Sequence, residues 1–146
     1  MASATTLEEN KRAARRVYDV WDGDDEDAID DVLAEDVILN KPDYVGGRVR
    51  GREAYKDNLR RVRSGFPDLF FDAHDVIAED DEVMAYCTFG GTHEGELLGI
   101  EPTGTSVEIE DFVLYRFDDG EVVEVTSLPD LFGLFLQLGA IEPPGE

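Results

Sequence analysis

The stretch from Thr105 to Leu128, TSVEIEDFVLYRFDDGEVVEVTSL, decides the fold. Val107, Ile109, Val113 and Tyr115 recur at every second position, the period of a strand with one buried face. Val122 to Leu128 is a second run rich in β-branched residues. Between them DDG places a glycine where a tight turn needs positive φ, so the two runs read as a hairpin. Asp111 falls in the apolar register of the first run. Burying an unpaired carboxylate costs several kcal/mol, so Asp111 is expected to be functional, partnered or at a wet edge. It is a second acid/base candidate.

Outward from the hairpin the same period covers Leu69 to Ala78 and Val83 to Thr92. The linkers EDDE and GELLGIEPTG join these runs into a four-stranded antiparallel meander. Upstream of Pro67 the period is helical. Thr5 or Thr6 with Glu8 or Glu9 reads as a capping box, followed by Ala14, Val17, Tyr18 and Trp21 on one stripe. Ala28, Ile29, Val32 and Leu33 form a short second stripe, and Val37 to Leu39 a short strand that NKPDYVGG ends. Tyr55, Leu59, Val62 and Phe66 mark a third helix, and Leu131, Leu134, Phe135 and Leu138 a closing one before Gly139. Helices first, a long sheet next and a helix last make an α+β domain, with the helices packed on a curved antiparallel sheet. One domain is expected over residues 1–146, its core running from about Leu7 to Gly139 between a polar N-terminus and a Pro-rich tail. Such a sheet leaves a cone-shaped cavity suited to an apolar ligand and a second face free for a homodimer.

Charge limits the partners. The chain carries 35 acidic and 13 basic residues, a formal net charge of −22, which repels nucleic acid and anionic membranes. The acidic residues are interleaved with apolar positions throughout and describe a solvated surface. In about 1 M salt the screening length falls to roughly 3 Å and self-repulsion fades, so a salt-loving host is expected. Lysine is confined to Lys11, Lys41 and Lys56, which agrees with that. No apolar run approaches the roughly 18 residues of a membrane span, and the polar, then basic start has no signal-peptide pattern. Cys87 is the single cysteine, which fits a reducing, cytoplasmic setting. Two distant histidines and one cysteine make no metal-ligand set, so no metal is expected.

The order of elements and the strings RRVYDVWDGDDEDAIDDVLAEDV, GREAYKDNLRRVRSGFPDLFF, GGTHEGELLGIEPTG and YRFDDGEVVEVTSLPDLFGLFLQLG resemble the SnoaL-like polyketide cyclases, also known as predicted ester cyclases. These belong to the nuclear-transport-factor-two-like superfamily, and the resemblance runs from about Asn10 to Gly139. It implies a cone-shaped α+β fold, chemistry without a cofactor and a carboxylate acid/base at the cavity mouth. Carried over by position, the family's acid/base falls on Asp130, its first-helix tyrosine on Tyr18 and its GTH histidine on His93. Asn40 stands where the family commonly has histidine, and Glu124, Val125, Thr126 where it commonly reads Glu-His-Trp.

Aldol chemistry needs a base beside the carbonyl and a donor for the developing oxyanion. Asp130 and His93 are the catalytic candidates. Asp130 also reads as the N-cap of the last helix. His93 continues the register Val83, Ala85, Cys87, Phe89, Gly91, which puts it at a cavity rim or packed near a loop. Asn40 and Tyr18 are candidate donors to a substrate carbonyl. Phe89, Tyr115 and Trp21, with Phe66 and Phe112, read as core residues of which some line the pocket. The expected function is acid/base cyclisation or isomerisation of a small apolar carbonyl compound. The alternative is a non-catalytic dimeric binder of small hydrophobic molecules.

Overall fold

The computed structural model describes residues 3–23 and 25–145. The expected domain span and the acidic opening of the second helix also touch Met1, Ala2, Asp24 and Glu146, which lie outside the described residues. Helix α1 runs over Ala4–Trp21 and α2 over Asp27–Val32. The cap of α1 is Ser3 rather than Thr5 or Thr6: its hydroxyl accepts from Thr6 N at 3.1 Å, so the helix starts two or three residues earlier than expected. Ala14, Val17, Tyr18 and Val20 form its buried stripe. Leu33, expected on α2, instead opens strand β1, Leu33–Asn40. A two-residue strand β2, Val49–Arg50, precedes helix α3, Arg52–Gly65.

The meander forms as the alternation requires. Its strands are β3 (Phe70–Glu79), β4 (Glu82–Thr92), β5 (Ser106–Asp118) and β6 (Glu121–Pro129). Asp118 pairs with Glu121 across a two-residue turn in which Asp119 and Gly120 have φ of 51° and 83°. Positive φ at both central positions matches the right-handed twist of the flanking strands. Helix α4, Leu131–Gln137, follows directly, and Gly139 with φ 75° ends it.

The sheet has six strands in the order β2-β1-β6-β5-β4-β3. It is mixed, not wholly antiparallel, because β1 lies parallel to β6. Register shifts at Ala73/Asp75 in β3, at Arg116/Phe117 opposite Val123 and within β1 mark bulges, which bend strands and curve the sheet. Helix α1 packs on β3 and β4, α3 on β1 and α4 on β5. Every second residue of β5, from Val107 to Phe117, is buried on this helix-covered face. Phe112, read from the sequence as core, is 52% exposed on the opposite face, because it alternates with Asp111 and Val113.

Candidate active site

The helices do not fill the concave side of the sheet. A cavity of about 620 Å³ remains there, within the size range of small-molecule sites. Val113, Tyr115 and Val125 form its buried floor, and Trp21, Phe71 and Phe89 give it aromatic walls. Its mouth is marked by the exposed lining residues Gly46, Arg61, Glu96 and Leu98, with half-buried Lys41 also in the lining and buried Leu97 anchoring the loop that carries Glu96 and Leu98. That loop is held closely. Glu94 N and Gly95 N both donate to Gly65 O at the end of α3, at 3.0 and 3.2 Å. A Cβ on Gly95 would stand 2.0 Å from Ser64 O, so only glycine fits there. Leu97 and Ile100 exchange backbone hydrogen bonds of 3.1 and 2.8 Å around the positive-φ pair Leu98 and Gly99.

Asp111 is the buried carboxylate of this cavity, beside the exposed Glu96 of its lining. It lines the wall from β5 and is 5% exposed. Ser127 Oγ donates to its two oxygens at 3.0 and 3.2 Å, and Leu128 N donates to Oδ1 at 3.2 Å. Burial dominates these bonds and raises the carboxyl from 3.8 to about 7. The acid is therefore divided between both protonation states near neutrality, the condition under which one group can accept and return a proton. Ser127 comes from the partner strand: Val113 pairs with Ser127 and Asp111 with Pro129, so Asp111 and Ser127 are diagonal neighbours on one face.

Two tyrosines face the same cavity. Tyr55 on α3 accepts a hydrogen bond from Trp21 Nε1 at 2.9 Å, which leaves its own O–H free to donate. Burial pushes Tyr55 up to about 12, and the Asp111 charge adds to that rise. Tyr115 is 1% exposed and is raised well above the usual phenol value by burial, again with Asp111 contributing. Both hydroxyls keep their protons at neutral pH. Cys87 pairs directly with Asp111 across β4 and β5. Burial and that carboxyl push its thiol up to about 12, which removes it as a thiolate nucleophile.

The other expected residues lie elsewhere. Asp130 does not line the cavity: it is exposed and caps α4, its Oδ1 accepting from Gly133 N at 2.9 Å. Its neighbours Pro129 and Leu131 face the cavity instead. His93 is fully buried but stands outside the lining. Its Nδ1 accepts from Thr103 N at 3.2 Å and lies 3.0 Å from Thr103 Oγ1, while its backbone bonds Gly104 and Thr105. With Nδ1 accepting, the neutral ring carries its proton on Nε2, which has no partner among the described residues. The histidine closes the base of the loop against Phe66, 5.8 Å away between ring centres. Tyr18 is core, stacked on Phe71 at 6.0 Å, with no hydrogen bond to its hydroxyl among the described residues. Asn40 points to the face opposite Leu39. Its amide donates to Glu124 at 2.7 Å and Thr126 at 3.1 Å, and its oxygen accepts from Arg48 at 2.9 Å. Trp21, Phe89, Tyr115 and Asp111 do line the cavity.

Sequence reading missed Tyr55, Ser127, Lys41 and Arg61. Tyr55 looked like one more apolar position on the α3 stripe. Ser127 carried a signal: it has the inward parity of Val125 in β6, diagonal to Asp111. Among the described residues, no group of three or more His, Cys, Asp or Glu is placed to hold a metal ion, and no helix is long and apolar enough to cross a membrane.

The comparisons with known proteins bear on this geometry. The chain is 26% identical over 141 residues to aklanonic acid methyl ester cyclase AcmA of Streptomyces galilaeus, covering 96% of this chain and 97% of that one. It is 30% identical over 102 residues to aklanonic acid methyl ester cyclase DnrD of Streptomyces peucetius, covering 67% and 68%. The crystal structure of a SnoaL-like protein from Jannaschia sp. CCS1 superposes with a TM-score of 0.87 at 23% identity, covering 97% and 99%. The family model of the SnoaL-like polyketide cyclases matches residues 11–138, and the chain belongs to that family.

Proposed function

We propose that this protein closes a ring in, or isomerises, a small apolar carbonyl compound, with Asp111 as the acid/base. One observation carries the reading: a buried carboxylate, raised to about 7, in a 620 Å³ apolar cavity that it shares with the Tyr55 and Tyr115 hydroxyls. Ionised Asp111 takes a proton from the carbon beside a substrate carbonyl. Tyr55 or Tyr115 donates to the enolate oxygen as charge develops there. The enolate carbon attacks a second carbonyl of the same molecule, and protonated Asp111 returns its proton to the new alkoxide. Atoms and electrons balance within one substrate, so no cofactor takes part. The family and its two methyl ester cyclase relatives support the reaction class. Asp130, spent on the helix cap, and His93, behind the loop, act on stability in this reading.

Aklanonic acid methyl ester and, in parallel, the free acid of the same skeleton, each incubated with the protein in molar KCl, test the reading. A product of unchanged mass and altered chromatographic mobility is expected, lost in Asp111→Asn. Turnover that survives this substitution would overturn the role of Asp111.

A second reading, a non-catalytic dimeric binder, draws on the outer face of the sheet. Ile77, Phe112 and Leu128 are 66, 52 and 69% exposed there, and Phe112 pairs with Leu128. A second copy would cover this strip, with association strengthening in salt because each copy carries −22. Sedimentation that shows only monomers in molar KCl counts against it. We also infer a salt-rich setting from the acidic surface and a cytoplasmic one from the single cysteine. A melting temperature that rises between low and molar KCl is the expected result.

A further inference from the structure

We propose that the molecule held in this cavity carries a carboxylate, clamped at the mouth by Lys41 and Arg61. The inference rests on the cavity being a ligand site, as above, and adds the charge of the ligand. The chain has 35 acidic residues for its 13 basic ones, so counter-charges are abundant. Lys11 pairs with Glu8 at 3.4 Å, and Lys56 with Asp30 at 2.8 Å and Glu53 at 3.3 Å. Lys41 is the exception. Among the described residues it has no carboxylate at ion-pair distance, and its ammonium donates to the neutral Asn58 Oδ1 at 2.9 Å. Arg61, on the next turn of α3 after Asn58, has no ion pair among them either, a property it shares with Arg48 and Arg52, and among the described residues it is the arginine that lines the cavity.

Both cations line the cavity. Burial, followed by the charge of Arg61, holds the Lys41 ammonium below its ordinary value. The one carboxylate on the same rim, Glu96, turns away to accept from Gly99 N at 3.1 Å. Gly46, also on the rim, has φ +110°, and a Cβ there would stand 3.1 Å from Lys41 Nζ, so glycine keeps the approach to the ammonium clear. A strongly acidic protein has thus placed half-buried Lys41 and exposed Arg61, neither of them ion-paired among the described residues, beside an aromatic-walled hollow. A guanidinium fork and an ammonium together match the two oxygens of a carboxylate. The rings of such an acid would lie against Trp21, Phe71 and Phe89, with the acid group outward and the floor carbonyl facing Asp111.

The test compares 2-naphthoate with its uncharged isostere 2-naphthamide. Binding to the intact chain is read from Trp21, its one tryptophan, which lines the cavity and is quenched by a bound naphthalene. The measurement is made in 1 M KCl, where a screening length of roughly 3 Å suppresses the far field of the acidic surface and leaves contact interactions. Wild type is expected to bind naphthoate at least ten-fold tighter than naphthamide. Lys41→Gln and Arg61→Gln should each reduce naphthoate affinity about ten-fold with naphthamide affinity held within two-fold, and Lys41→Arg should retain the preference. Equal binding of both probes by wild type, which requires no variant to fold, overturns the carboxylate and leaves the cavity reading standing. A preference unchanged in both Gln variants also overturns it. Quenching by neither probe overturns both inferences together.

Discussion

Glu110 and Asp111 are adjacent carboxylates on one strand, and they belong to two different chemical environments. Glu110 faces outward into water, where the Tyr86 hydroxyl donates to it beside the exposed Phe112. Asp111 faces inward, 5% exposed, and burial lifts it to about 7. One residue of offset in a strand of period two separates a solubilising charge from the proposed acid/base. The surface face tolerates charge because water solvates it, whereas the inner face can hold a carboxylate only through hydrogen bonds and partial protonation.

The largest expected effect separates these two residues directly. Asp111→Asn should lower kcat/KM about 10²–10⁴-fold on a cyclisable substrate, the usual range for a lost acid/base. Glu110→Gln should stay within about two-fold. Equal losses would break the comparison.

Stability follows the same contrast. Asp111 has a folded-state pKa above its unfolded value, so the native state binds this proton more tightly. Its stabilising contribution is full below about pH 4 and is lost as pH rises through about 7. The span is worth on the order of 4 kcal/mol at most, from 1.36 kcal/mol per unit. Urea unfolding across this window should show that decline in wild type and a flatter profile in Asp111→Asn. A wild-type profile that climbs toward pH 7 with no difference between the two proteins would argue that the carboxylate is not desolvated.

Tyr55→Phe tests the donor side of the cavity. It should lower kcat about 10–100-fold, and it leaves Trp21 Nε1 without its acceptor, which costs about 1–3 kcal/mol. Denaturant midpoints separate that structural loss from the kinetic one. Ser127→Ala removes hydrogen bonds that hold the Asp111 pKa down, so the acidic limb of the kcat/KM–pH profile should move upward. A downward shift would exclude Asp111 as the titrating group. The smallest effect belongs to Asp130→Ala, with about 1 kcal/mol lost from the α4 cap and kcat within about two-fold. A kinetic loss as large as that of Asp111→Asn would return the acid/base role to Asp130.

How far the site was legible depended on the range of the interaction involved. Alternation put Asp111, Phe89 and Tyr115 on the inner face, and the cavity lining includes all three. The same rule applied to β1 sets Asn40 outward, because Leu39 beside it faces in, yet a strand seen as only three residues long left that parity unread. Asp130 had two readings, acid/base by the resemblance and N-cap by its place before a helix, and the structure shows the capping bond to Gly133 N. His93 was inward by parity, but the loop that folds back through Thr103 to Thr105 puts it behind the wall instead of in it. Tyr55 comes from a helix 56 positions before Asp111 in the chain, and no local pattern links the two.

The amino-acid sequence by itself determined what one strand or one helix can specify. It set the period of each element, the Asp119-Gly120 turn, the inward side of Asp111 and the charged exterior. Tertiary structure alone decided that β1 lies parallel to β6, that Ser127 and Tyr55 meet the Asp111 cavity, and that Lys41 and Arg61 share its mouth. The physical reason is that periodicity is a property of neighbours along the chain. Desolvation, and the reactivity it confers on a carboxylate, depends on which distant segments pack against that group and exclude water from it.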